Sequence, residues 1–219
     1  MSASCCHHHP DPQRGNPAFK RVLWIVLAIN AVMFLVEIVA GVAAGSASLQ
    51  ADALDFLGDT GNYIIGLVVV GKALRYRAMA ALAKGLTMGA FGLWVIGTVV
   101  WHALMATMPE PITMGVIGVV ALIANAACAA LLYAYREGDA NMRSVWICSR
   151  NDVLGNLAVL LAAVGVFGAG TGWPDLIVAT IMAMLAVQGA WIVMQRSRDE
   201  LRSSASSKAL DVPAPVHRA

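Results

Sequence analysis

Five acidic residues lie inside strongly apolar stretches of this 219-residue chain, where charged side chains are rare. They are Glu37, Asp52, Asp55, Asp59 and Asp152. A charged residue at the centre of a membrane-spanning helix costs about 2.5–3.5 kcal/mol on the insertion scale. Asp52 stands near the start of its stretch, where water can still solvate it, but Asp59 stands near the middle. An ionisable residue in such a position indicates a functional site by default.

Four polar residues follow one face of the second apolar stretch. Asp55 and Asp59 are four residues apart, so they lie on the same face of a helix. Asp52 stands three residues before Asp55, and Asn62 stands three residues after Asp59. Two carboxylates one helical turn apart repel each other in a medium of low dielectric constant. A shared proton or a bound cation must offset that repulsion, and a divalent cation between them does so directly.

The fifth apolar stretch carries a second stripe of the same form. Cys148 and Asp152 are four residues apart, and Asn156 follows after four more. Facing each other, the two helices would offer four metal ligands: Asp55, Asp59, Cys148 and Asp152. Tetrahedral Zn²⁺ accepts carboxylate oxygen and cysteine sulfur, and a sulfur ligand favours softer ions over Mg²⁺ or Ca²⁺. A free cysteine is often a small buried apolar residue, so the spacing alone leaves the role of Cys148 open.

The composition indicates that these stripes lie in a membrane. Hydrophobic residues make up 59% of the chain and charged residues 13%, whereas soluble domains are nearer half apolar and a quarter charged. Six apolar stretches are long enough to cross a bilayer, which takes about 20 residues. They are Val22–Gly45, Leu49–Val70, Ala78–Met108, Ile112–Tyr135, Val145–Ala169 and Pro174–Gln195. The sequence therefore predicts an all-α membrane protein, a bundle of six transmembrane helices. The net charge of +2 gives no sign of a nucleic-acid partner.

Lysine and arginine are unevenly distributed among the segments that join these stretches. They occur before the first stretch, after the sixth and in every second connection, whereas the other three connections contain none. The basic residues are Arg14, Lys20 and Arg21, then Lys72, Arg75 and Arg77, then Arg136 and Arg143, and finally Arg196, Arg198, Arg202 and Lys208. Because basic residues mark cytoplasmic loops, both termini are predicted to be cytoplasmic.

The chain divides into three segments on this basis. Residues 1–21 are a cytoplasmic tail, residues 22–196 the six-helix membrane domain and residues 197–219 a short disordered cytoplasmic tail. The first tail contains Cys5, Cys6, His7, His8 and His9 in one run, and short Cys/His tracts are typical of metal binding. This run is either a collector that delivers metal to the bundle or a tail with incidental affinity.

The two stripes resemble the metal-binding helices of the cation diffusion facilitator family. In the second helix of that family, a Gly-Ser turn precedes a motif of His or Asp, three residues and Asp. Here Gly45-Ser46 precedes Asp55 and Asp59. In the fifth helix the usual pair is His, three residues and Asp. Here Cys148 replaces the histidine and Asp152 matches the aspartate. The number, order and orientation of the predicted helices also match.

The resemblance implies an exporter and not an enzyme. Members move a divalent cation out of the cytoplasm in exchange for protons, with Zn²⁺ the first candidate here and Cd²⁺ or Co²⁺ further ones. The metal would bind midway between helices 2 and 5 at Asp55, Asp59, Cys148 and Asp152. No resident cofactor is expected, because the metal is cargo and protons are the counter-ion. The partners implied are metal ions, the lipid bilayer and a second copy of the chain. The basic loops suit the inner (plasma) membrane of a bacterium.

Two departures from the family bear on function. Members usually carry a cytoplasmic ferredoxin-like domain after helix 6, whereas Ser197–Ala219 follows here. We therefore expect a short form without that domain, with its dimer contacts in the membrane part. Cysteine in place of histidine leaves the preferred ion open, because a thiolate can favour Cd²⁺ or Cu⁺ as well as Zn²⁺.

Two alternatives compete with the exporter. An intramembrane aspartyl protease would pair Asp59 with Asp152, but its Gly-x-Gly-Asp signature is incomplete because Phe56 stands at the first glycine position. A membrane scaffold without transport activity would not explain four ligand-type residues aligned on two helices. Two further residues have no settled role. Glu37 either lines the bundle or hydrogen-bonds a neighbouring helix, and Arg150 either reaches the cytoplasmic surface or pairs with an acidic group.

Overall fold

In the computed structural model, which describes residues 17–69, 74–134 and 140–210, the protein is a bundle of six long helices. They are α1 (Pro17–Ala44), α2 (Ala47–Ile64), α3 (Leu74–Met105), α4 (Pro111–Tyr133), α5 (Ala140–Ala169) and α6 (Trp173–Leu210), and one π-helical turn (Ile65–Val69) continues α2. This architecture confirms the predicted all-α bundle.

The bounds of the helices differ from those of the apolar stretches from which they were predicted. The largest difference is in α6, which continues past Gln195 to Leu210 and so enters the segment assigned to the short C-terminal tail. Hydropathy locates only the apolar part of a helix, and the polar turns that follow Gln195 carry no such signal. The run from Cys5 to His9 lies outside the described residues, as do residues 211–219.

Large apolar side chains point outward from this bundle and polar side chains point inward. Leu104 and Phe167 are 76% and 74% exposed, whereas Glu37, Asp52 and Asn156 have no exposed surface. A soluble protein has the opposite arrangement. Five of the helices (α1, α3, α4, α5 and α6) are long and apolar enough to cross a membrane. These observations confirm a multi-pass membrane protein, while the direction in which the helices cross stays a prediction.

The remaining helix, α2, is too polar to face lipid because it carries three aspartates. It packs against α1, α3, α5 and α6, and nearly all of its residues between Ala47 and Asp59 are buried. Its carboxylates therefore meet protein groups and not hydrocarbon. The surrounding helices supply the apolar surface that the lipid requires, and α2 supplies the polar interior.

A tight turn between α1 and α2 fixes where the acidic helix begins. Gly45 has a φ of +64°, a left-handed conformation that favours glycine. The amide of Gly45 donates to the carbonyl of Val42, and the amide of Ser46 donates to that of Gly41. This is the Schellman arrangement of a helix C-terminus. Ser46 then caps α2, because its Oγ accepts a hydrogen bond from the amide of Leu49 at 3.1 Å.

A buried carboxylate from α6 completes this cap. Oδ1 of Asp175 accepts hydrogen bonds from Ser46 Oγ at 2.7 Å and from the amide of Ser48 at 3.0 Å. Its Oδ2 accepts from the amide of Ala47 at 2.9 Å. A carboxylate suits this place because the N-terminus of a helix carries a partial positive charge. Asp175 therefore ties the first turn of α6 to the first turn of α2.

Replacing Asp175 should destabilise the bundle at this junction. Asp175→Ala leaves the amides of Ala47 and Ser48 buried without an acceptor, which should lower the free energy of unfolding by about 2–3 kcal/mol. Thermal unfolding of the purified protein in detergent should show a midpoint several degrees below that of the wild type. Asp199→Ala is the matched control, because Asp199 is an exposed residue of the same helix. Equal midpoints for the two variants would contradict the capping role.

Candidate metal centre

The acidic stripe on α2 faces the interior of the bundle, as its spacing predicted. Asp52 has no exposed surface, and Asp55 and Asp59 retain only 5% and 8% of theirs. Asp152 on α5 is buried to the same degree as Asp59. Since α2 packs against α5, the structure brings the two helices together that the sequence analysis paired.

Asp59 and Asp152 meet across the interface between α2 and α5. Their carboxyl groups lie within hydrogen-bonding reach of each other. Two buried carboxylates this close repel each other when both are ionised, and either a shared proton or a bound cation would offset that repulsion. The contact therefore joins the two stripes at a point that can hold either a proton or a metal ion.

Asp55 lies one helical turn from Asp59 and has space beside it. Neither of its carboxyl oxygens has a hydrogen-bond partner among the described residues, and its charge interacts with those of Asp52 and Asp59. On the α5 side it faces Gly155, where a Cβ atom would lie 3.6 Å from Oδ2 of Asp55 and 3.9 Å from Oδ1 of Asp52. Because glycine leaves this space open, the lone pairs of Asp55 remain available to a ligand.

Tyr63 fixes the orientation of Asp59. Its hydroxyl donates to Oδ2 of Asp59 at 3.0 Å and lies 3.3 Å from Oγ of Ser149 on α5. Tyr63 follows Asp59 by four residues, so both lie on one face of α2, and Tyr63 and Ser149 are buried. These contacts hold one candidate ligand in place and form a second link between α2 and α5.

A separate polar cluster lies nearer the start of α2. Glu37 on α1 lies near Asp52, and neither of its carboxyl oxygens has a hydrogen-bond partner among the described residues. Nδ2 of Asn156 donates to Oδ2 of Asp52 at 2.5 Å, and Nδ2 of Asn125 donates to Oδ1 of Asn156 at 3.0 Å. The cluster thus joins α1, α2, α5 and α4, and polar side chains that hydrogen-bond between membrane helices hold such bundles together.

Cys148 lies on α5 one turn before Asp152, but its side chain falls outside the described part of the structure. Among the side chains that are described, no three His, Cys, Asp or Glu residues are grouped as a ready metal site. What the structure does place is the contact of Asp59 with Asp152, with Asp55 one turn away. The ligand roles of these four residues therefore stay a prediction.

Three residues that shape the site were missed in the sequence analysis. Tyr63, Ser149 and Gly155 act through contacts between helices, and of these only Tyr63 carried a usable signal, its four-residue step from Asp59. Arg150, by contrast, points away from the site. It is exposed and its guanidinium lies 5.5 Å from the centre of the Trp146 ring, which favours the surface location over an acidic partner.

Residues 23–207, which include both stripes, match the family described as the cation efflux transmembrane domain. The chain belongs to the cation efflux family. It is similar to the metal cation efflux system protein CzcD of Cupriavidus metallidurans, with 24% identity over 213 residues that cover 92% of this chain and 66% of CzcD. It is also similar to the zinc transporter ZitB of Escherichia coli, with 26% identity over 212 residues, 91% of this chain and 68% of ZitB.

A third relative is an antiporter by name. The cadmium, cobalt and zinc/H(+)-K(+) antiporter of Bacillus subtilis is 23% identical over 194 residues, which cover 82% of this chain and 62% of that protein. The chain described here spans 66% of the length of CzcD.

Family membership confirms the class of protein that the sequence predicted. The resemblance to the cation diffusion facilitators is confirmed, and so is a transport protein in place of an enzyme. The apolar helices and the bacterial relatives confirm a multi-pass protein of the bacterial inner membrane. Family membership thus favours the transport class over the intramembrane aspartyl protease considered at Asp59 and Asp152.

Filling the space at Gly155 should weaken metal binding without unfolding the bundle. In Gly155→Ala the added methyl group makes contacts of ordinary length, and alanine favours a helix over glycine by about 1 kcal/mol. The methyl group nevertheless covers the free oxygens of Asp55. We expect the Zn²⁺ affinity of the purified protein, measured by competition with a fluorescent chelator, to fall about tenfold, as for other residues that support metal ligands.

Gly168→Ala provides the control for this substitution. Gly168 is also on α5, but a Cβ atom there would meet no atom within 4 Å. This variant should bind Zn²⁺ as the wild type does. Equal affinities for Gly155→Ala and Gly168→Ala would show that the space beside Asp55 is not part of the metal site.

Proposed function

We propose that this protein exports divalent metal cations, Zn²⁺ first, which bind between α2 and α5 at Asp55, Asp59, Cys148 and Asp152. The observation that carries the proposal is the contact between Asp59 and Asp152 inside a shell of apolar helices. Buried carboxylates are costly unless they serve a purpose. A pair from two different helices, with the unpartnered Asp55 beside it, supplies oxygen ligands for a divalent cation from opposite sides.

Cys148 would complete this set with a sulfur ligand from α5. A thiolate together with carboxylates suits Zn²⁺, and also suits Cd²⁺ and Co²⁺ better than Mg²⁺ or Ca²⁺. The names of the relatives agree with this range of cargo, since ZitB is a zinc transporter and the Bacillus subtilis protein a cadmium, cobalt and zinc antiporter.

Proton exchange follows from the same residues. Asp59 and Asp152 share a proton when no cation lies between them, and a metal ligand must be deprotonated to bind. Entry of the metal from the cytoplasm therefore releases at least one proton there. When the site opens to the other side, protonation of the carboxylates returns and the metal leaves. The proton gradient across the membrane drives this cycle, and a homodimer is the assembly we expect to carry it out.

A flux measurement tests the exchanger and its site together. The protein would be placed in liposomes and Zn²⁺-dependent proton movement followed with a pH-sensitive dye. Asp59→Asn and Asp152→Asn remove one ligand and one proton carrier each but keep the side-chain shape, so the flux should fall at least tenfold in both. Asp199→Asn, a change at an exposed position of α6, should leave the flux unchanged. Wild-type flux in both Asp59→Asn and Asp152→Asn would contradict the proposed site.

Substitution of the cysteine tests the choice of ion. Cys148→Ser replaces a soft ligand by a hard one, so transport should shift from Cd²⁺ toward Zn²⁺, with the ratio of the two rates changing several-fold. The matched control is Cys128→Ser, because Cys128 is a buried thiol on α4 that lies 3.7 Å from Asn30. An unchanged ratio in Cys148→Ser, or the same change in Cys128→Ser, would remove Cys148 from the ligand set.

A further inference from the structure

Lys84 of α3 lies along the surface of α2 beside the acidic stripe. It is half-buried, and its methylene chain crosses Gly61, where a Cβ atom would lie 3.2 Å from both Cγ and Cδ of the lysine. Its ammonium group donates a hydrogen bond to Oδ1 of Asn62. The lysine side chain therefore has a fixed position on the surface of α2, because glycine at position 61 leaves room for it.

In this position the ammonium group lies near Asp59, one of the predicted metal ligands. Asn62 follows Asp59 by three residues, so the two lie on one face of α2, and the ammonium group that bonds to Asn62 is held within about one helical turn of Asp59. Asn62, which the sequence analysis placed on the polar stripe, thus connects the lysine to the site. From the sequence, Lys84 is only a basic residue just beyond the connection between helices 2 and 3, and no link between it and the metal site was predicted.

The charges of the site explain why a lysine belongs here. The proposed ligands Asp55, Asp59, Cys148 and Asp152 carry four negative charges when all are ionised, whereas a divalent cation supplies two positive ones. An excess negative charge inside a membrane protein is expensive unless it is paired. One fixed positive charge at Lys84 reduces the excess negative charge that remains when a divalent ion is bound from two to one.

We propose that Lys84 sets the affinity of the cation site, as a tethered positive charge that pairs with Asp59 and opposes the cargo. This rests on the proposed function, since it takes Asp59 as a metal ligand. The ammonium group and a bound metal cation both carry positive charge. When the metal arrives, the two like charges repel each other, which weakens binding. An exporter gains from this, because a cation that is held too tightly is not released on the far side.

Direct metal binding tests the proposal without transport. The full-length protein in detergent would be titrated with Zn²⁺ against a fluorescent chelator at fixed pH. Lys84→Met removes the charge but keeps the length of the chain, and it should bind Zn²⁺ about tenfold more tightly. Lys84→Arg keeps the charge and should stay within about twofold of the wild type. Lys20→Met is the matched control, because Lys20 is exposed on α1, and its affinity should not change.

Transport kinetics and thermal unfolding together separate this role from a structural one. In liposomes, Lys84→Met should lower both the KM for Zn²⁺ and the maximal rate, because tighter binding slows release. If the lysine merely joined α3 to α2, the thermal midpoint would fall while the affinity stayed at the wild-type value, and that result would overturn the proposal. Lys84→Gln serves if the methionine variant does not fold, since its amide can still donate to Asn62.

Failure of this inference can be told apart from failure of the proposed function. If the wild type binds no Zn²⁺, or if Asp152→Asn binds it as tightly as the wild type, the metal site itself is wrong. If Asp152→Asn loses binding while the affinity of Lys84→Met is unchanged, the site stands and the role of Lys84 is wrong.

Discussion

The burial of three aspartates on one short helix is the constraint on which the rest of this structure depends. A carboxylate facing lipid is costly, so α2 cannot lie at the surface of the bundle. The other helices surround it and expose large apolar residues such as Leu104 and Phe167 to the lipid. The stripe on α2 then needs a polar partner, which α5 supplies through Asp152 and Asn156.

The buried polar groups fall into two sets with different chemistry. Asp52 is satisfied in part by Asn156, which in turn bonds to Asn125, so this end of the stripe is tied by neutral donors to the neighbouring helices. Asp55 has no hydrogen-bond donor among the described residues. Asp59 accepts a hydrogen bond from Tyr63 and lies next to Asp152. A bundle that held its acids for stability alone would give each of them a donor. Among the three aspartates of α2, Asp55 is the one whose two oxygens both lack a donor among the described residues, so it has the most capacity left for a cation.

The sequence was sufficient to predict the helices and the polar stripes on α2 and α5, because both rest on spacing within one helix, and the family resemblance then implied that the two stripes face each other. Asp55 and Asp59 are on one face by their four-residue step, and no tertiary contact can change that. The contributions of Asp175, Gly155 and Lys84 could not be predicted, since each acts on a helix remote in sequence. The C-terminal part of α6 was also missed, because its polar residues give no hydropathy signal.

The cap formed by Asp175 has a consequence for the order in which the protein is made. Synthesis runs from the N-terminus, so α2 leaves the ribosome well before α6. Until α6 has been made, the amides of Ala47 and Ser48 lack the Asp175 acceptor, which lies more than 120 positions later in the chain. The tight turn to α1 can form as soon as α2 is made, whereas the cap on α2 is completed only after α6 has been made.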